Sequence, residues 1–565
     1  MNDPGSLTRA TPAAPPGQAK VSALAALAAL SPFEPVASIS YQSAGRLLIV
    51  SAGVGPTLSE TVAALVDRLS VAVFITGSAP PPVFTGAEVS CGEIVSLTGY
   101  LGAFELLWRR DANAPTQLAQ FDLVLDLQER ALFEMSQPPQ GYFHAPPTSA
   151  ASLEAAMAEL PEMVGEFEKP KFFAYKESIC AHSRSRKSGC NKCIEICSTQ
   201  AISSAGDTVV VDPHLCMGCG ACSTVCPSGA MSYQYPRVAD RGAQLRALLG
   251  GYQERRGEAD AAPLIVFHNG EDGATALAEL DVATNVLAVE AWHIASIGLD
   301  VLLGAVAYGA GGVIVVSQGS EAPDYANALQ REMQTGELIL SALGYCGVHF
   351  SLCSATELAD AVAVISAADI VSAPARFHLS NDKRSTLEFA VEHLATHAKH
   401  AKTAPATTAI ALPVGAMWGA IAVNQDKCTM CLACAGACPV SALMDGGEDA
   451  AKPQLKFLER NCVQCGICAS TCPETAITLV PRLLMTEQRK KEVLLNETEP
   501  FDCISCGKAL GTRKLIDSML GKLAGHSMFQ TEGSRKRLQM CADCRVVDMM
   551  SNKNEMSILT GRPIE

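Results

Sequence analysis

Short apolar runs alternate with helical patterns over most of this chain. Residues 46–50 (RLLIV), 71–76 (VAVFIT) and 121–127 (FDLVLDL) are brief, apolar and rich in β-branched side chains, and residues 61–69 carry helical spacing. These predict an α/β layer over 36–168. Further on the alternation is cleaner: strands at 264–267, 286–289, 313–317 and 348–352, a helix at 301–308, and a long helix from Asp324. They predict a second α/β domain over 260–400, and both domains read as parallel sheets. The apolar stretch 299–316 contains Asp300 and a Tyr-Gly-Ala-Gly-Gly break, so it reads as helix, turn and buried strand and not as a membrane span. Residues 1–35 are dominated by Pro and Ala and are expected to be a disordered tail. They show no basic segment followed by an apolar one, so no secretory signal is expected. Residues 401–419 read as a linker.

Composition narrows the class. The chain has 565 residues, which at about 100–200 residues per domain suggests three to five domains. Its formal net charge is −15, with no long basic run, which argues against a nucleic-acid binder. With no membrane insertion expected, the protein reads as cytoplasmic. There, the 23 cysteines stay reduced and clustered ones mean metal.

The strongest signal is an internal repeat. Four segments end alike: Cys-Ser-Thr-Gln-Ala-Ile at 197–202, Cys-Pro-Ser-Gly-Ala-Met at 226–231, Cys-Pro-Val-Ser-Ala-Leu at 438–443 and Cys-Pro-Glu-Thr-Ala-Ile at 472–477. Three are preceded by C-x2-C-x2-C-x3-C: Cys216, Cys219, Cys222, Cys226; Cys428, Cys431, Cys434, Cys438; and Cys462, Cys465, Cys468, Cys472. This is the ligand run for [4Fe–4S] clusters, in which three close thiolates wrap one cubane and the fourth ligates its neighbour. In the remaining copy Cys190, Cys193 and Cys197 keep their spacing. Cys180 supplies the first ligand across a longer loop, and Ser198 stands where the pattern has Pro. The exchanged fourth ligand assigns four sets: Cys180, Cys190, Cys193 with Cys226; Cys216, Cys219, Cys222 with Cys197; Cys428, Cys431, Cys434 with Cys472; and Cys462, Cys465, Cys468 with Cys438.

On these residues the chain resembles two bacterial-type two-cluster ferredoxin domains, within 169–240 and 420–485. The inserted loop, 181–189, carries His182, Arg184, Arg186 and Lys187. It is expected either to dock an acidic redox partner, to raise the potential of the cluster it wraps, or to be a plain solvated loop.

Near the C-terminus, Cys503 and Cys506 form one C-x2-C pair and Cys541 and Cys544 another. Two such pairs with a long spacer, helical around 514–523, suit tetrahedral Zn2+. The first pair resembles a zinc knuckle, which makes 495–565 a four-cysteine zinc module; a further iron–sulfur cluster is the alternative. His526, between the pairs, reads as a surface residue. Cys91, Cys346 and Cys353 stand outside any run and are expected to pack as small side chains.

Residues 292–317, with the helix that follows, resemble the delta subunit of methyl-viologen-reducing hydrogenases. That resemblance implies a [2Fe–2S] site on loops after the strands, but here the loops from Phe267 and Ser317 hold no Cys, so the fold is expected without that cluster. In the first α/β domain, Ser51-Ala-Gly-Val-Gly-Pro-Thr-Leu follows a strand and opens a helix, the place for a nucleotide loop. It lacks the third Gly, and Thr57 or Ser59 can instead cap the helix.

The expected fold is therefore an α/β multidomain chain with two α+β ferredoxin-like 2[4Fe–4S] modules, two α/β domains and a small zinc module. No catalytic constellation is evident. The expected function is relay of single electrons through four [4Fe–4S] clusters to or from a partner oxidoreductase. The resemblances imply a formate dehydrogenase- or heterodisulfide reductase-like complex. The alternatives are a flavin- or nucleotide-dependent oxidoreductase subunit with its cofactor on 36–150, and a maturation or scaffold protein for an iron–sulfur or molybdenum enzyme.

Overall fold

The computed structural model describes residues 17–77, 82–135, 137–257, 260–279, 284–319, 321–398, 408–446 and 452–551. The chain divides into two compact units. One comprises the described residues of Met1–Tyr175, Lys192–Ser204 and Val209–Lys402; the other those of Lys176–Asn191, Ala205–Thr208 and Thr403–Glu565.

In the first unit, the N-terminal sheet has seven strands in the order Gln117–Phe121, Phe104–Arg109, Glu88–Thr98, Ser70–Thr76, Arg46–Ser51, Leu123–Asp126, Tyr142–His144. The last five of these pair in parallel, and the other two add an antiparallel edge. The sheet is thus mixed, where a parallel one was expected. Alternating strand residues feed its two faces. Leu47, Ile49, Val71 and Val73 meet Leu58, Val62 and Leu65 of the helix Pro56–Leu65, while Leu48, Val50 and Phe74 join Phe104 and Leu106 on the other side. That helix begins before the expected 61–69 because Pro56 supplies a preset φ at its first turn.

The second sheet of this unit is fully parallel, in the order Val286–Glu290, Leu264–His268, Gly312–Ser317, Phe350–Ser354. The stretch read as helix, turn and strand is the helix Leu299–Ala307 followed by the strand Gly312–Ser317, both buried almost throughout. Asp300 is buried with them. The expected tail needs correction. Residues 1–16 lie outside the described residues, but Gln18–Ala28 is a helix packed along Val238–Arg255, with Ala23 fully buried. A row of small side chains is what makes the close approach possible: a Cβ on Gly251 would meet Ala26 and the Ser22 carbonyl.

The second unit holds the second cysteine repeat and the C-terminal segment with the two C-x2-C pairs. The strand Ala409–Ala411 pairs with Ile477–Leu484, which also pairs with Gly419–Val423, so part of the expected 401–419 linker belongs to this sheet. Residues 401–407 lie outside the described ones. The hairpin within 181–189 clusters with this unit, although the cysteines that follow it, from Cys193 on, belong to the first. No described helix is long and apolar enough to cross a membrane.

Candidate metal centres

Backbone conformation repeats along with the cysteines. In the three unbroken runs, the residues two and four positions after the first Cys are left-handed: Gly218 and Gly220 (φ 79° each), Met430 and Leu432 (φ 55° and 59°), Gln464 and Gly466 (φ 54° and 82°). Non-glycine residues in this region are uncommon and costly, so their recurrence marks an imposed shape. The wrap turns backbone N–H groups toward the sulfurs, and a short helix then starts one residue before the third Cys: Ala221–Val225, Ala433–Ala437 and Ile467–Thr471. The residue three after each fourth Cys is left-handed in all four copies: Gln200 (φ 53°), Gly229 (73°), Ser441 (50°) and Thr475 (47°). There the N–H groups of Met231, Ala442 and Ala476 donate to the Sγ atoms of Cys226, Cys438 and Cys472 at 3.4, 3.2 and 3.3 Å. Ser198 in place of Pro therefore leaves the turn intact.

Two of the expected ligand sets line cavities of their own. Cys197, Cys216, Cys219 and Cys222 surround one, walled by Phe172, Ile196 and Tyr233. Cys428, Cys431, Cys434 and Cys472 surround the other, walled by Met430, Leu455 and Ile477. For the set Cys462, Cys465, Cys468 and Cys438, proximity shows in the electrostatics, since Cys462 and Cys438 both act on Cys465 and Cys468. Burial first, then neighbouring thiolates, push Cys434 and Cys468 up to about 12 and Cys465 up to about 11. Burial also pushes Cys216 up to about 11, against the Gly218 N–H. Dry cups of mutually repelling sulfurs, fed by backbone N–H groups, fit a soft cationic cluster and suit no hard ion. Of the remaining set, Cys180 and Cys190 lie in the second unit and Cys193 and Cys226 in the first.

The lengthened loop is built, not slack. Gly189 N–H donates to the His182 carbonyl at 2.7 Å and Cys190 N–H to that of Ala181 at 2.8 Å, which sets Cys180 and Cys190 at the base of a hairpin. The Ser183–Arg184 and Lys187–Ser188 strands pair across left-handed Ser185 and Arg186, a primed turn made without glycine. Asp207 receives Ser183 Oγ and the Ser185 N–H, each at 3.2 Å. His182 is buried with Nδ1 3.2 Å from the Cys190 carbonyl, so it is not part of a basic surface; Arg186 and Lys187 at the tip are exposed. Ser470 Oγ donates to the Ser188 carbonyl at 3.3 Å, and Gly189 sits so close to Ile467 that a Cβ would come within 2.4 Å. Cys465, two residues before the helix Ile467–Thr471, feels the Cys190 thiolate.

Cys503, Cys506, Cys541 and Cys544 bring their sulfurs within 4.8 Å of one another. The 3.7 Å between the Cys506 and Cys541 sulfurs matches the edge of a tetrahedron with metal–sulfur bonds of about 2.3 Å. A cubane holds its ligand sulfurs further apart, at the outer corners of a four-iron cube, so the geometry fits a single tetrahedral ion. Backbone N–H groups, that of Cys541 first at 3.2 Å, pull the Cys503 thiol down to about 6. His526 instead accepts from the Met528 N–H and caps a short turn. Thr512 Oγ1 donates to the Thr429 carbonyl at 3.1 Å, between Cys428 and Cys431, which ties this segment to the second cysteine repeat.

Several residues at these sites carried no sequence signal. Lys169 Nζ donates to the carbonyls of His214 (2.6 Å) and Cys216 (2.8 Å), and burial pulls its ammonium down to about 8. Tyr325 is hydrogen-bonded to Ser198 and favours the charged form of the Cys219 thiol. Lys383, also buried, donates to the Ser223 and Thr224 carbonyls at the end of the helix holding Cys222. Cys91 and Cys353 pack against apolar cores, whereas Cys346 is exposed with its N–H on Asp369. In the loop after Ser51, a Cβ on Gly53 or Gly55 would meet nothing, and neither residue is left-handed, so the loop does not depend on glycine.

Comparison with known proteins agrees with this geometry. Residues 188–230 match the family described as a 4Fe-4S dicluster domain, and residues 421–444 match a 4Fe-4S binding domain. The chain is similar to hydrogenase-4 component A of Escherichia coli (strain K12), 29% identical over 96 residues, which is 16% of this chain and 44% of that protein. It is also similar to a protein named ferredoxin 7Fe of Hydrogenibacillus schlegelii, 38% over 42 residues, or 7% of this chain and 54% of that one. A ferredoxin of Alicyclobacillus acidocaldarius subsp. acidocaldarius is 44% identical over 39 residues, 7% of this chain and 50% of that one. The chain thus spans about half the length of the curated relatives it matches. It carries 4Fe-4S ferredoxin-type domains, and these support an iron–sulfur electron-transfer function.

Proposed function

We propose that this protein relays single electrons through four [4Fe–4S] clusters, with one zinc ion on the C-terminal cysteine quartet, to or from a partner oxidoreductase. The observation that carries the reading is the repeated left-handed wrap, which aims backbone N–H groups at three ligand runs and recurs after each fourth Cys. Such clusters pass one electron at a time; the protein sets ligand identity, hydrogen bonds to sulfur and solvent access, which together set the potentials. The hairpin has a defined place in this scheme. It carries Cys180 and Cys190 to the segment around Cys465, so these two thiols would lie beside the cluster on Cys462, Cys465, Cys468 and Cys438.

The partner belongs to the same proposal. One relative is by name a hydrogenase component, and the domain at 260–400 resembles a hydrogenase subunit, so the partner would be a hydrogenase-, formate dehydrogenase- or heterodisulfide reductase-like complex. Anaerobic affinity purification of the full chain with its bound subunits tests this. Recovery of a redox enzyme that reduces or oxidises the clusters supports the relay. Clusters that move readily to an apo-protein, with no reducible partner recovered, would point to maturation instead.

A further inference from the structure

The first unit contains a cleft of about 910 Å³ that none of the ligand sets uses. Its walls come from the segment after the N-terminal helix (Phe33, Pro35), from Glu168–Pro170, from Tyr235 and from Trp292. The volume is at the upper end of what small-molecule sites occupy, about 300–1,000 Å³, and the cleft is formed where several segments meet. Trp292 is 54% exposed and Tyr235 37%, two large aromatic faces left open in a folded unit.

Three features say what the cleft would hold. First, aromatic rings shape it: Tyr235 and Trp292 stand at 84° with centroids 5.6 Å apart, a corner with one flat face open for stacking. Second, its cations are turned away. Lys169 is spent on the carbonyls of His214 and Cys216, and Arg241 is buried with Nη1 on Gln244 and the Glu290 carbonyl. Its lining carboxylates are Glu34, which is paired with Arg237 at 3.2 Å, and Glu168, Asp240 and Glu290, so acidic side chains outnumber available cations. A phosphate-bearing ligand is disfavoured there, and an uncharged ring is not. Third, the cleft backs onto a ligand cup. Phe172 walls the cavity of Cys216, Cys219 and Cys222, and the same ring packs on Tyr235 (5.7 Å) and Trp292 (5.4 Å). Trp292 Nε1 also points at the Met217 carbonyl, between Cys216 and Cys219. One side chain's thickness separates cleft from cup.

We propose that this cleft binds an uncharged, planar, redox-active ring of the isoalloxazine or naphthoquinone class, stacked on Trp292. The choice of a redox-active ring rests on the electron-transfer reading above; the cleft and its preference for an uncharged aromatic do not.

The test is calorimetric titration of the anaerobically purified full chain with riboflavin, flavin mononucleotide and menadione, with iron measured on every sample. Saturable one-to-one binding of riboflavin or menadione is expected, and which of them binds tells the isoalloxazine source from the naphthoquinone one. If the flavin arm binds, riboflavin should exceed its phosphate ester at least tenfold. Trp292→Ala should weaken binding at least tenfold at unchanged iron content, while Trp292→Phe keeps most of it. Should Trp292→Ala lose iron, Tyr235→Leu, on the other wall, takes its place with the same expected loss. No saturable binding in either arm, equal binding by the wall variants, or tighter binding of the phosphate ester would overturn the proposal. Normal iron content in those samples would confine that failure to the cleft and leave the relay standing.

Discussion

The hydroxyls of Ser198 and Tyr325 are hydrogen-bonded to each other, and the Tyr325 hydroxyl favours the charged form of the Cys219 thiol. The one repeat that lacks Pro after its fourth Cys uses the substituted serine to hold a tyrosine whose hydroxyl acts on the Cys219 thiol. Tyr325→Phe should lower the midpoint potential of one cluster, because hydrogen bonds to sulfur favour the reduced form. It should leave iron content unchanged and cost about 0.5–1.5 kcal/mol of stability. Redox titration monitored by electron paramagnetic resonance checks this; four unshifted potentials would refute it.

Metal content follows from the ligand sets. Four cubanes bring about sixteen iron and sixteen sulfide per chain, and the C-terminal cysteine quartet about one zinc. Cys180→Ala should leave a three-iron cluster or an empty site in one set and spare the others. About half the iron in wild-type protein would remove two of the assigned clusters.

Zinc should be separable from iron. Cys506→Ser should lose about one zinc while keeping the iron, and Co2+ in its place should show the visible bands of tetrahedral thiolate coordination. Thr512 and the Lys522–Glu474 ion pair tie this segment to the second cysteine repeat, so zinc loss should also lower that repeat's thermal stability. Loss of iron in step with zinc would mean the site is not an independent mononuclear one.

Gly189 tests the hairpin's seat. A Cβ there would meet Ile467 at 2.4 Å and the Ala181 carbonyl at 2.6 Å, so Gly189→Ala should cost about 1–3 kcal/mol and loosen the Cys180 set. Adding Ile467→Ala should restore part of the loss, since it relieves the side-chain clash and not the carbonyl one. Wild-type melting and iron content in Gly189→Ala would contradict the packing described.

Arg186 and Lys187 are exposed at the hairpin tip, so their effect should be on encounter rather than on assembly. Changing both to Gln should leave iron unchanged and slow association with an acidic partner at low salt. The difference should fade as ionic strength rises toward 0.1 M, where screening sets in over about 10 Å. A rate identical to wild type at every salt concentration would make the tip inert in docking.

The ligand runs were legible because cluster ligation is local: C-x2-C-x2-C-x3-C carries its turn geometry within a dozen residues, and the left-handed wrap follows from it. The same holds for both C-x2-C pairs near the C-terminus and for the parallel strands at 264–267 and 313–317, whose apolar runs permit little but burial. The sequence by itself marked the cysteine runs and suggested how they would share ligands. Only the tertiary structure decided what stands around them. It turned part of an expected tail into the helix Gln18–Ala28, because small residues let that helix approach Val238–Arg255 closely. It folded a loop whose role was left open between docking, tuning and plain solvation into a hairpin seated by Gly189, buried His182 inside it, and brought Lys169, Tyr325 and Phe172 to one ligand cup from far along the chain. These contacts join residues with no common period or spacing, and their free energy exists only once the cores have brought them together.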